Sequence, residues 1–78
     1  MKSDVIQIDA EILGGTPVFR GTRVPIETLF DHLEDGISID EFLTDFPTVT
    51  RKQTIEVLEL AGKVLTNKNF KKIYETAA

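Results

Sequence analysis

The chain has no cysteine and no tryptophan, and a single histidine, His32. Without thiols, neither disulfides nor cysteine-ligated zinc can staple the fold. The nucleophile inventory is equally thin: two serines, Ser3 near the N-terminus and Ser38 at a helix start. No set of nucleophile, base and orienting group can be assembled from these, so no catalysis is expected. No apolar run approaches the roughly 18 residues of a membrane span. Only Lys2, Asp4 and Asp9 mark the N-terminus, without a leader-like apolar run. These absences predict a soluble, cytoplasmic protein that uses no cofactor, no metal and no membrane.

Positive charge is missing where negative charge is densest. The formal net charge is −4, but residues 26–46 carry Glu27, Asp31, Glu34, Asp35, Asp40, Glu41 and Asp45 with no Lys or Arg. Residues 47–78 reverse the sign, with Arg51, Lys52, Lys63, Lys68, Lys71 and Lys72 against Glu56, Glu59 and Glu75. An acidic total opposes strong non-specific DNA binding by a monomer, because that affinity comes from neutralising phosphates. The basic C-terminal third keeps one face eligible. The acidic helices read as a solvated face rather than a cation site.

Glycine and proline are few and concentrated. Three of the five glycines and two of the three prolines fall in residues 14–25, Gly14-Gly15-Thr16-Pro17-Val18-Phe19-Arg20-Gly21-Thr22-Arg23-Val24-Pro25. Glycine permits positive φ and proline fixes φ, so this stretch must turn near Gly14 and again near Gly21. Val18-Phe19 and Thr22-Arg23-Val24 have the composition of short strands, which predicts a small hairpin between them. Val5–Ile8 reads as a further short strand, and Asp9 as the cap of a helical turn over 10–13. GGTP lacks the lysine of a phosphate-binding loop.

Three helices follow. Ile26, Leu29, Phe30 and Leu33 form one apolar stripe, entered at Pro25 and left at Gly36, with His32 off the stripe and expected to be exposed. Ser38-Ile39-Asp40-Glu41 is a capping box with Ile37 and Phe42 as its hydrophobic staple, and Pro47 stops that helix at Phe46. Thr50-Arg51-Lys52-Gln53 is a second capping box and opens the longest helix. Pro47-Thr48-Val49 between the two is about the length of a helix-turn-helix turn. Ile55, Val57, Leu58, Leu60, Ala61, Val64 and Leu65 exceed what two short helices can cover, which predicts a second subunit or a partner protein.

The tail repeats the pattern with Phe70, Ile73, Tyr74 and Ala77, opposite Lys71, Lys72 and Glu75. A helix this short needs docking, on its own domain or on a partner. A chain of 78 residues buries only about 60% of its unfolded surface and gains from association.

The order GG-x-P-V-F-R-G-T-R-V-P-I, then Gly36-Ile37-Ser38, Phe46-Pro47 and the Thr50…Gln53 helix start, resembles the domain-of-unknown-function 433 family from about Ile8 to about Ala61. That resemblance implies a homeodomain-like helix-turn-helix protein of the VapB-like antitoxin sort, encoded beside a nuclease-like PIN-type toxin.

The expected architecture is mainly α. A short strand and hairpin (residues 1–25) precede a three-helix helix-turn-helix unit (26–66) and an amphipathic helical tail (67–78), one domain overall. The expected role is that of a homodimeric, non-catalytic antitoxin that binds a cognate toxin from a neighbouring gene and also operator DNA. The alternative is a homodimeric interaction module that binds no DNA. In a helix-turn-helix the start of the second motif helix enters the major groove. The DNA-binding candidates are therefore Thr50, Arg51, Lys52, Gln53 and Thr54, with Arg20 on the hairpin. Arg23 is expected either at DNA backbone or paired with the acidic helices. Phe70, Ile73 and Tyr74 are the candidate partner anchors, aromatic residues being frequent hot spots.

Overall fold

The computed structural model describes residues 4–77. Lys2, Ser3 and Ala78, which the sequence reading placed at the two termini, lie outside them. The chain is mainly α-helical with one small antiparallel sheet. Strand β1 is Ile6–Gln7 and β2 is Val18–Phe19, in the register Ile6 to Phe19 and Gln7 to Val18. Helices follow at Ile26–Glu34 (α1), Ile39–Asp45 (α2), Arg51–Leu65 (α3) and Lys68–Ala77 (α4). Among the described residues no helix is long and apolar enough to cross a membrane.

The sheet differs from the expected hairpin in which strands it joins. β2 pairs in regular fashion with β1, and its other edge carries only an isolated bridge from Val18 to Pro25. Thr22 accounts for this. Its Oγ1 accepts from the Val24 amide at 3.0 Å and donates to the Phe19 carbonyl at 2.8 Å, taking groups a ladder would use. The bridge itself is carried by the Phe19 amide on the Val24 carbonyl and the Ile26 amide on the Pro17 carbonyl, each at 3.0 Å. Gly21, at φ +79°, makes the turn between them. The first helical turn is also displaced: Asp9 Oδ1 accepts from the Glu11 amide at 2.9 Å. The tight turn itself falls on Leu13–Gly15, whose φ angles are all positive, +48°, +66° and +94°.

Helices α2 and α3 start where their caps predict, and α1 starts directly after Pro25 without a side-chain cap. Ser38 Oγ accepts from the Glu41 amide at 3.1 Å. Thr50 makes the complete box, its Oγ1 accepting from the Gln53 amide at 3.1 Å while Gln53 Oε1 accepts from the Thr50 amide at 3.0 Å. At the exit of α1 the amide of Ile37 reaches the His32 carbonyl at 2.9 Å, around Gly36 at φ +79°. A residue with a Cβ rarely adopts that φ, so glycine suits the position.

Val5, Phe19, Leu29, Phe42, Val49 and Val57 form the buried core, drawn from strand edge, hairpin, three helices and a loop. Phe42 sits at its centre, 6.0 Å from the Phe19 ring and 5.1 Å from Phe46, centroid to centroid. His32, expected to be exposed, is half-buried instead. It stands edge-on to Phe42 at 5.4 Å and to Phe46 at 5.6 Å, and its Nδ1 lies 2.8 Å from the Thr28 carbonyl oxygen. The steep angles to both rings, 81° and 73°, are the T-shaped arrangement that aromatic pairs favour, and they hold His32 inward.

Candidate nucleic-acid and partner interfaces

The α3 start and the hairpin meet at one corner of the molecule, and there most of the DNA-binding candidates are already engaged. Arg20 turns back onto the strand: its Nε donates to the Asp4 carbonyl and its Nη2 to the Ile6 carbonyl at 3.0 Å. The Arg20 carbonyl in turn accepts from Gln53 Nε2 at 3.0 Å. Gln53 thus spends its oxygen on the α3 cap and its nitrogen on the hairpin. Thr50 is held in the same cap. Thr54, expected to face DNA, is 0% exposed, with its hydroxyl donating to the Arg51 carbonyl at 2.6 Å. It faces the core because it falls three residues before Val57, on the buried side of α3.

That leaves three cations in this corner. Arg51 is exposed and pairs through Nη2 with Asp40 of α2. Lys52 and Arg23 are exposed, and neither makes an ion pair or side-chain hydrogen bond among the described residues. For Arg23 this corrects the expected pairing with the acidic helices. It lies instead in an open cleft with Gln7, Thr22 and Thr48, between the hairpin loop and the α2–α3 turn. The first turn of α3 carries Arg51 and Lys52 and no acid. The helix dipole disfavours cations at an N-terminus, so an incoming anion is more welcome there than on α2, whose first turn carries Asp40 and Glu41.

The partner candidates lie elsewhere. In α4, Ile73 is 65% and Tyr74 64% exposed, and Phe70 is half-buried. Phe70 and Tyr74 stack on each other at 6.2 Å, so the apolar side of α4 is a formed surface. The spare apolar surface expected on α3 is also present, with Val64 53% and Leu65 59% exposed. A groove between α1 and α3 places these two beside Ile26, Phe30 and Leu60, and every residue lining it is apolar. The helical periodicity showed that α3 had apolar surface to spare; that Phe30 would supply the facing wall had no local signal. Asp31, Glu34 and Asp35 remain on the solvent side of α1. Among the described residues no three His, Asp or Glu side chains converge as metal ligands.

Residues 6–61 match the family described as "Protein of unknown function (DUF433)". The chain belongs to the DUF433 family. A 46-residue stretch, 59% of this DUF433 chain, is 37% identical to "Uncharacterized protein y4eO" of Sinorhizobium fredii (strain NBRC 101917 / NGR234). That stretch covers 21% of the relative, so the DUF433 chain spans only about a fifth of its length. No solved structure matches it significantly. The match to the family ends inside α3, and α4 lies beyond it.

Proposed function

We propose that this DUF433 chain is a non-catalytic, antitoxin-like protein of the VapB sort. It works in the cytoplasm and neutralises a PIN-type nuclease toxin encoded by a neighbouring gene. The observation that carries the reading is α4, a preformed helix whose Ile73 and Tyr74 stand in solvent beside the Phe70 ring. An apolar helix face of this kind fits a hydrophobic groove on another protein. The acidic α1 and α2, with no Lys or Arg between 26 and 46, complement the positive groove a nuclease needs. The test is co-expression with the neighbouring gene. Wild-type chain should co-purify with its product and suppress its nuclease activity. The double variant Phe70→Ala/Tyr74→Ala should lose both effects, and a complex that survives it removes α4 from the interface.

A second role, operator binding through a homeodomain-like helix-turn-helix, is favoured by one feature. The α3 start presents Arg51 and Lys52 against the helix dipole with no acid in their own helical turn, and Arg51 is held there only by an exposed pair with Asp40. Arg can read guanine and Lys can hold phosphate. Fluorescence anisotropy with DNA from upstream of the gene, against an unrelated duplex, tests this. Selective binding supports the regulator reading, and equal or absent binding leaves a protein-interaction module alone.

A further inference from the structure

The chain carries an unfilled apolar groove and an uncovered apolar helix, and the link between α3 and α4 holds its own two apart. Only Thr66 and Asn67 separate α3 from α4, and both are committed. The Thr66 amide bonds the Gly62 carbonyl at 3.1 Å and its hydroxyl reaches the same oxygen at 2.8 Å. The Asn67 amide bonds Val64 at 3.3 Å, while its Oδ1 caps α4 by accepting from the Asn69 amide at 2.7 Å. Folding α4 back into the groove breaks these bonds. The radius of gyration is accordingly 13.8 Å, against about 11.5 Å for a compact chain of this length.

We propose that two copies of this chain form a two-fold dimer in which α4 of each copy lies, apolar face inward, in the α1–α3 groove of the other. Charge selects this occupant. Glu27 and Glu34 stand three and four residues from Phe30 on α1, bordering the groove wall it forms. On α4, Lys68, Lys71 and Lys72 outnumber Glu75. Lys71, on the flank of the apolar face and 3.9 Å from Glu75, can reach this acidic rim. Lys68 and Lys72 lie on the far side of α4 and contribute only their net charge. Geometry agrees. An isologous pair uses each helix and each groove once per copy, four surfaces that close without leaving a free end. Each surface needs to bury only about 300 Å² for the total to reach the ~1,200 Å² of a stable specific interface. One aromatic ring alone offers about 150–250 Å², and Ile73 with the exposed part of Phe70 adds to Tyr74. The dimer stands independently of the antitoxin reading. A toxin that grips the same α4 face competes with it.

The experiment uses the purified full-length chain and exploits its lack of cysteine. Sedimentation equilibrium should give twice the 8.7 kDa chain mass. The variants Ile73→Glu on α4 and Val64→Glu in the groove should each raise the dimer dissociation constant at least tenfold, with unchanged helical circular dichroism. Ile73→Cys chains mixed with mass-tagged Val64→Cys chains, treated with a short bismaleimide, should cross-link one chain of each kind. Cross-links only between two Ile73→Cys chains would mean that α4 packs on α4. An internal cross-link in the double cysteine variant would mean that α4 folds back on its own groove. Either result overturns the proposal. So does a wild-type chain that stays monomeric at high micromolar concentration, which would leave the groove to a different protein. A monomeric chain that still neutralises the neighbouring toxin would sink the dimer alone, and a dimer with no effect on that toxin would sink the antitoxin reading alone.

Discussion

At the scale of single residues, the polar side chains of the hairpin-α3 corner hold the molecule together more than they present themselves to a ligand. Arg20 clamps the carbonyls of Asp4 and Ile6, and its own carbonyl takes Gln53 Nε2. Hydrogen bonds from a charged donor contribute about 1.5–3 kcal/mol net, less at an exposed site such as this. Arg20→Ala should therefore lower the unfolding free energy by about 1–2 kcal/mol, read as a shifted urea midpoint at constant slope. Arg20→Lys should rescue little of that loss, since one ammonium cannot span two carbonyls as the planar fork does. An Arg20→Ala chain as stable as wild type, but weaker on DNA, would return Arg20 to the nucleic-acid interface. Phe42 is the opposite kind of residue, wholly buried among Phe19, Phe46 and His32. Phe42→Ala should cost about 3–5 kcal/mol. Chains of 78 residues have only about 4–12 kcal/mol in total, so thermal denaturation should show a collapsed or absent transition.

At the scale of elements, the helices were legible because their signals are local. Ser38 and Thr50 announce their helices from within four residues, and Pro25, Gly36 and Pro47 punctuate the chain on the same range. The two caps differ in completeness, because only Gln53 returns a bond to its cap residue. Thr50→Ala and Ser38→Ala each remove one side-chain acceptor, and the backbone amide of residue 50 keeps its bond to Gln53 Oε1 in the variant. Cap removal costs about 0.5–2 kcal/mol. Both variants should lose stability within that range, compared by chemical denaturation side by side. A Thr50→Ala chain as stable as wild type would mean that the Gln53 return bond alone holds the α3 start. The small sheet was less legible, because choosing β1 over residues 22–24 as the partner of β2 depends on Thr22 using its hydroxyl twice. The candidate site was the least legible part. That Thr54 turns inward, Arg51 finds Asp40 and Gln53 reaches Arg20 are contacts 11 to 33 residues apart or decided by packing. No window of sequence contains them.

At the scale of the whole molecule, the segregation of charge bounds how DNA binding can look if it occurs. The α3 corner offers Arg51, Lys52 and Arg23, and the acidic α1–α2 block follows the chain between them. Arg51 can leave Asp40 at little cost, because an ion pair between two such exposed side chains is worth about 0–1 kcal/mol. Three phosphate contacts per copy imply a salt slope of about −3 for a monomer and about −5 for a dimer engaging two half-sites. Anisotropy titrations over a range of salt concentrations measure that slope directly. Lys52→Ala should flatten it by about one per copy while leaving any preference between DNA sequences unchanged, the mark of a phosphate contact. Arg51→Ala should reduce both the affinity and the preference, because only a side chain that reaches a base edge carries sequence information. A slope near −10 would require cations that this corner does not have. The DNA would then have to engage the three lysines of α4 as well, which doubles the cations to six per copy.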